Sequence, residues 1–391
     1  MPNTPVMDGL IRRTVERHLP WSVHLDLTYR CNERCIHCYL DHEDHGEMKT
    51  AEIKNVLEQL AQSGTLFLTL SGGEIFLRED LFDLLDFARS LHFDISLKTN
   101  ALLIDAERAR KLRALSVRRI QISIYSAEPA VHDAITKVRG SLERTLTAIR
   151  FLQAEGLQVK IACPLMKQNL TAYRNVQALA AELGVPYVLD MTITPKMDGD
   201  MSLLQLRNSA QSLLPILRDP TLNPPSKPLD STKATPVSTG SATSSGIESQ
   251  AYDDIPCSAG HNSCYISPYG DVFPCVQMPV TTGNLRERRF EDIWFRSAEM
   301  NRVRAVRESQ LPVCSKCSIR QYCERCPGLA QMEGGDLLGA YERACEMAEL
   351  KASLAGVEHP VSAMHAQDPN AKRSCSIPPP VAAPAAQIGG I

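Results

Sequence analysis

Eleven of the thirteen cysteines in this 391-residue chain fall into two spaced groups, and that spacing constrains the fold more than any other feature. The first group, Cys31, Cys35 and Cys38, reads C-x3-C-x2-C within LDLTYRCNERCIHCYL. The second runs Cys257, Cys264 and Cys275, then Cys314-x2-Cys317-x5-Cys323-x2-Cys326, then Cys345. The total is odd, and the leading MPNTPVMDGLIRRTVERHL has no apolar core of signal-peptide length. A chain this long buries a core without disulfides, so clustered thiols in a cytoplasmic protein read as metal ligands. Three thiolates this close can bind three irons of a cubane and leave the fourth open, where a fourth cysteine would close it. An open iron can chelate the amino and carboxylate groups of a small molecule. Zinc is the alternative for such a triplet.

From 22 to 218 short apolar runs alternate with helical patterns. Candidate strands are 22–28, 66–70, 93–98, 118–124, 157–163 and 186–192. From Thr50, residues Ile53, Val56, Leu57 and Leu60 fall at i, i+3, i+4 and i+7, giving a helix one apolar face. Further helices are expected to begin near Glu79, Asp105, Ser141 and Thr171. This pattern predicts an α/β fold, a parallel sheet with right-handed crossovers. Six units are too few for an eight-stranded barrel, so a partial (β/α)6 barrel is expected, with binding residues at the carboxyl ends of its strands. A small cysteine-rich iron–sulfur domain follows it.

The expected boundaries are an N-terminal extension over 1–21, the barrel over 22–218 and the cysteine-rich domain over 256–350. Residues 219–255 are rich in Pro, Ser, Thr and Gly and read as a disordered linker; 351–391 reads as a disordered tail. A formal net charge of −3 argues against a general nucleic-acid or anionic-membrane binder. No apolar run approaches the roughly 18 residues of a membrane span.

The triplet on the loop after the first strand resembles the radical S-adenosylmethionine (radical SAM) superfamily, whose hallmark is C-x3-C-x-aromatic-C, with His37 at the aromatic position. Ser71-Gly72-Gly73-Glu74, ending the second strand, is similar to the family's G-G-E motif, with Ile75 where proline is usual. The resemblance implies a cubane on Cys31, Cys35 and Cys38 and a bound S-adenosylmethionine. His37 would pack on the nucleobase, Gly72 and Gly73 would let the backbone approach the methionine, and Glu74 would accept from its ammonium group. Asn100, Ser123 and Arg139 match weaker family positions for ribose and methionine contacts. Taken singly, these three serve equally well as capping or solvated residues, and Gly72-Gly73 as an ordinary turn.

The second group is similar to the SPASM domain, a carboxy-terminal extension carrying two auxiliary [4Fe-4S] clusters. The resemblance assigns Cys257, Cys264, Cys275 and Cys326 to one cluster and Cys314, Cys317, Cys323 and Cys345 to the other, three clusters in all. The x2 spacing before Cys326 departs from the usual x3. Structural zinc on Cys314, Cys317, Cys323 and Cys326 is the alternative. YISPYGDVFPC reads as a hairpin presenting Cys275. Cys163 reads as a buried apolar residue and Cys375 as a free thiol in the tail.

The family chemistry implied is reductive cleavage of S-adenosylmethionine to a 5′-deoxyadenosyl radical that abstracts a substrate hydrogen. The full-length resemblance is to maturases of ribosomally made peptides, which cross-link, epimerise or oxidise them. About 30 residues precede Cys31, so a separate leader-peptide-binding protein is expected, together with an electron donor such as flavodoxin or ferredoxin. Sulfatase-maturing relatives place an Asp after the cysteine equivalent to Cys275; Val276 stands here and counts against formylglycine formation. A small-molecule substrate, such as a tetrapyrrole side chain or a sugar alcohol, is the second reading. A non-catalytic electron carrier is a remote third.

Overall fold

The computed structural model describes residues 5–222 and 254–357. Most of the expected linker, most of the expected tail and Cys375 lie outside the described residues.

Helix α1 (Pro5–Glu16) leads into six strand–helix units. Their strands are β1 (Ser22–Thr28), β2 (Phe67–Gly72), β3 (Asp94–Thr99), β4 (Arg119–Ser123), β5 (Val159–Pro164) and β6 (Tyr187–Asp190). Between them lie α2 (Thr50–Gln62), α3 (Leu81–Ser90), α4 (Ala106–Ala114), the pair α5 (Pro129–Thr136) and α6 (Ser141–Ala154), and α7 (Tyr173–Glu182). A short α8 (Leu214–Leu217) follows. Neighbouring strands from β1 to β6 pair in parallel, so each connection is a crossover through a helix.

Alternation along the strands decides which face is which. Val23, Leu25 and Leu27 of β1, Leu68 and Leu70 of β2, Ile95 and Leu97 of β3 and Ile120 and Ile122 of β4 are all buried. They share one core with Ile53, Val56, Leu57 and Leu60 of α2, the apolar stripe expected from the sequence. Each fully buried Leu or Ile contributes about 1.5–3 kcal/mol. The intervening residues, among them His24, Asp26, Ser71, Lys98, Gln121, Ser123 and Lys160, are polar. A parallel sheet covered by helices on both faces reads as continuous apolar runs. This one is covered on its outer face, and its inner face is built for a polar ligand.

The cysteine-rich region joins the same sheet. β7 (Ser263–Ile266) pairs in parallel with β1, with Val23 opposite Cys264. β8 (Asp271–Phe273) and β9 (Gly283–Asn284) then turn back antiparallel, forming the hairpin read from YISPYGDVFPC. The strand order is β6-β5-β4-β3-β2-β1-β7-β8-β9, so β6 and β9 are edges and the barrel stays open. Helices α9 (Phe290–Arg296) and α10 (Ala298–Arg304) continue the core; the Phe290 amide donates to Gln59 Oε1 at 2.7 Å and Trp294 Nε1 to the His18 carbonyl at 2.6 Å. Helices α11 (Pro327–Gly334) and α12 (Glu342–Leu354) complete the described chain. Arg207 holds α11 to the barrel by a bidentate pair with Glu333, at 2.8 and 2.5 Å. Among the described residues no helix is long and apolar enough to cross a membrane.

Candidate active site

The polar face of the sheet opens on a cavity of about 710 Å³ at the carboxyl ends of the strands. Cys31, Cys35 and Cys38 line it, on the loop that leaves β1. Val276, Gln277, Glu324, Leu329 and Tyr341 of the cysteine-rich region line it as well, so both regions contribute to one cavity.

The cysteine loop is seated by the Ser71-Gly72-Gly73-Glu74 turn. Gly73 N donates to the Thr28 carbonyl at 2.8 Å and Glu74 N to the Arg30 carbonyl at 2.9 Å. Gly72 has φ +132°, and a Cβ there would strike the Thr28 carbonyl oxygen; one at Gly73 would strike those of Arg30 and Tyr29. Both glycines line the cavity, but what they admit most closely is the backbone of β1's own loop.

Glu74 lies behind that turn. It is fully buried, not on the cavity wall, and its carboxylate accepts from Phe76 N (3.0 Å), Asn100 N (2.8 Å) and Thr99 Oγ1 (2.8 Å to each oxygen). It ties the end of β2 to the end of β3. Burial raises its pKa, against the pull of those donors. Glu74 thus braces the turn beneath the cysteine loop.

Asn100 lines the cavity and braces the same loop, donating from Nδ2 to Asn32 Oδ1 at 2.6 Å and lying 3.8 Å from Cys31 Sγ. Ser123 and His37 also line it. His37 meets Tyr125 edge-on, ring centroids 4.9 Å apart. Its Nδ1 is buried without a partner, and burial pushes its pKa down to about 4, so the ring is neutral. Arg139 lies elsewhere: it is exposed and absent from the cavity wall. Asp133 draws in the turn beyond it, accepting from Gly140 N at 2.5 Å and Ser141 Oγ at 2.9 Å, and leaves Arg139 at the outer corner.

Burial pushes the Cys31 thiol up to about 12 and Cys35 further. A thiol in such a place becomes a ligand only against a strongly positive centre, which iron supplies. Glu33, which the sequence reading missed, sits between them, 3.3 Å from Cys35 Sγ, and burial raises it to about 7. The remaining thiols sort by mutual electrostatics. Beyond the effect of burial, Cys326 and Cys275 raise the pKa of Cys257, and Cys275 raises that of Cys264; Cys314 and Cys317 raise that of Cys323, and Cys323, Cys314 and Cys317 raise that of Cys345. Among the described residues no three His, Cys, Asp or Glu side chains converge on a single ion.

The three-thiol loop on the cavity, the two further sets of thiols and the open sheet define an iron–sulfur enzyme class. The chain belongs to the radical SAM superfamily: residues 25–180 match its family model, and residues 257–318 match that of the SPASM iron–sulfur cluster-binding domain. It is 30% identical to the AdoMet-dependent heme synthase of Methanosarcina barkeri, over 82% of this chain and 94% of that one. It is also 30% identical to the PqqA peptide cyclase of Xanthomonas campestris, over 80% and 83%. In fold it is similar to Streptococcus suis SuiB bound to its precursor peptide SuiA, with TM-score 0.61 and 16% identity over 89% and 82%. It is an enzyme.

The sequence reading missed the inner-face residues His24, Lys98, Gln121, Lys160 and Asp190, all on the cavity wall. Their signal was present: polar residues at every second position of strands otherwise rich in Val, Ile and Leu.

Proposed function

We propose that this enzyme modifies a ribosomally made peptide, with its radical-generating cluster on Cys31, Cys35 and Cys38 and auxiliary clusters on the two sets of four thiols. The observation that carries this reading is the cavity, lined both by the three-thiol loop and by the SPASM region. When bound, the first cluster and S-adenosylmethionine would supply a 5′-deoxyadenosyl radical able to take a hydrogen atom from substrate. The chain's own share is to hold, orient and keep dry. Glu74, Thr99 and Asn100 brace the cysteine loop, and Ser123 and His37 offer a hydroxyl and a neutral ring to a nucleoside. Val276, Gln277 and Tyr341 add the SPASM region's share of the lining. A low-potential flavodoxin or ferredoxin would reduce the clusters in the cytoplasm, and a separate protein would present the peptide leader.

A second reading has one observation in its favour. The similarity to heme synthase spans 94% of that enzyme's length, which supports a tetrapyrrole side chain as substrate.

Reduced, anaerobically reconstituted protein is expected to release 5′-deoxyadenosine from S-adenosylmethionine, measured by chromatography. None released would refute radical chemistry and leave only an electron carrier. The same preparation should hold about twelve irons, four per cluster. A value near four, with bound zinc, would remove the auxiliary clusters from the proposal.

A further inference from the structure

The inner face of the sheet carries a charge pattern that the cysteine chemistry does not use. Lys98 on β3 pairs with Gln121 on β4, and Gln121 with Lys160 on β5. Residues paired in this way share a face, and adjacent strands lie about 4.8 Å apart, so the two lysine backbones stand roughly 10 Å apart with Gln121 between. All three side chains line the cavity.

The other cations of that wall are already matched. Arg207 pairs with Glu333, Arg343 with Glu346 and Lys351 with Glu324. Among the described residues neither Lys98 nor Lys160 has an ion-pair or hydrogen-bond partner. The nearby carboxylates are engaged elsewhere. Asp26 accepts from Tyr265 at 2.8 Å and holds His24 at 3.0 Å, while Asp190 accepts from Thr192 N at 2.9 Å. Burial lowers the pKa of both lysines, with Lys98 supported from a distance by Asp26, Cys275 and Asp190, none of which bonds it. Two half-buried ammonium groups without a counter-ion are costly, and an entering anion relieves that cost.

We propose that Lys98 and Lys160, with Gln121 between them, form a subsite for a carboxylate of the substrate. Two residues further along the same strands stand Asn100, Ser123 and Ala162, the row nearest the cysteine loop. Two residues of strand span about 7 Å. A carboxylate held by the lysines therefore sets the carbons beside it between the two rows, where the proposed radical would act. The substrate so selected is an acidic side chain, whether of a peptide or of a tetrapyrrole. This rests on the proposed function only for what happens to those carbons; the subsite itself is a matter of binding.

The test measures binding by equilibrium dialysis, with iron-loaded full-length protein and S-adenosylmethionine but no reductant. One arm compares deuteroporphyrin IX with its dimethyl ester, the other acetyl-Gly-Glu-Gly-amide with acetyl-Gly-Gln-Gly-amide. In at least one arm the acid should bind about tenfold tighter than its neutral partner, and that arm identifies the source. Lys98→Met and Lys160→Met should each erase that preference while leaving the neutral compound's affinity unchanged, and Lys98→Arg should keep it. Absence of any acid preference in both arms overturns the subsite. So does a fall in S-adenosylmethionine affinity in the Met variants without loss of acid preference, which would give the lysines to the cofactor instead. Because no turnover is involved, failure here leaves the 5′-deoxyadenosine result standing, and the reverse also holds.

Discussion

Cys35→Ala is expected to abolish 5′-deoxyadenosine release while the protein keeps about two-thirds of its iron, since two of three clusters retain every ligand. Cys35 lies on the loop after β1, half-buried, against Tyr125 at 3.7 Å and Glu33 at 3.3 Å. It packs in a small cluster around Tyr125, Ile135 and Met166, apart from the main core. Loss of its sulfur removes little apolar burial, about 1 kcal/mol or less, so the fold should survive. What is lost is one of three thiols, and two cannot hold a cubane with a single vacant iron. Cys163→Ala is the control. That thiol is fully buried beside the Tyr125 carbonyl and Asn169, in neither thiol set, and its replacement should change neither iron nor cleavage. Iron analysis with electron paramagnetic resonance of the reduced proteins reads both outcomes. Cleavage at the parent rate by Cys35→Ala would end the assignment of the first cluster.

Much of the fold was legible because its units are local. The stripe Ile53, Val56, Leu57 and Leu60 is a helix signal wherever it stands, and all four residues are buried. The six strands were found for the same reason, to within a few residues. Other features depend on neighbours that the sequence does not name. That β7 extends the barrel sheet is decided by the pairing of Val23 with Cys264, 241 positions apart. The bonds that hold Glu74 were not legible in its own motif, because its partners Thr99 and Asn100 stand at the end of the next strand. Arg139 was placed by counting along a loop, and loops turn where a side chain such as Asp133 collects backbone amides. The lysine row was written plainly in the alternation of β3, β4 and β5. It went unread because parallel strands are expected to be apolar on both faces.

Gly73→Ala is expected to detach the cysteine loop from the sheet. The added Cβ would lie 2.6 Å from the Tyr29 carbonyl oxygen and closer still to that of Arg30, against backbone that has no rotamer to yield. Relief demands that residues 28–31 move, which breaks the hydrogen bonds from Gly73 N to Thr28 and from Glu74 N to Arg30. Overpacking alone costs about 1–3 kcal/mol, and each lost backbone bond adds roughly 1 kcal/mol. The variant should therefore unfold at lower denaturant by about 3 kcal/mol or more. Displacement of Cys31, three residues beyond Thr28, should cost it the first cluster, so iron falls by about a third while the auxiliary signals persist. Gly9→Ala sets the scale, since that glycine lies in α1 with nothing within 4 Å of a Cβ. There the same methyl should stabilise by up to about 1 kcal/mol through helix propensity. If Gly73→Ala keeps its iron and its denaturation midpoint, the close approach of the glycine turn to the β1 loop is not what seats the three thiols, and the glycines must serve the ligand instead.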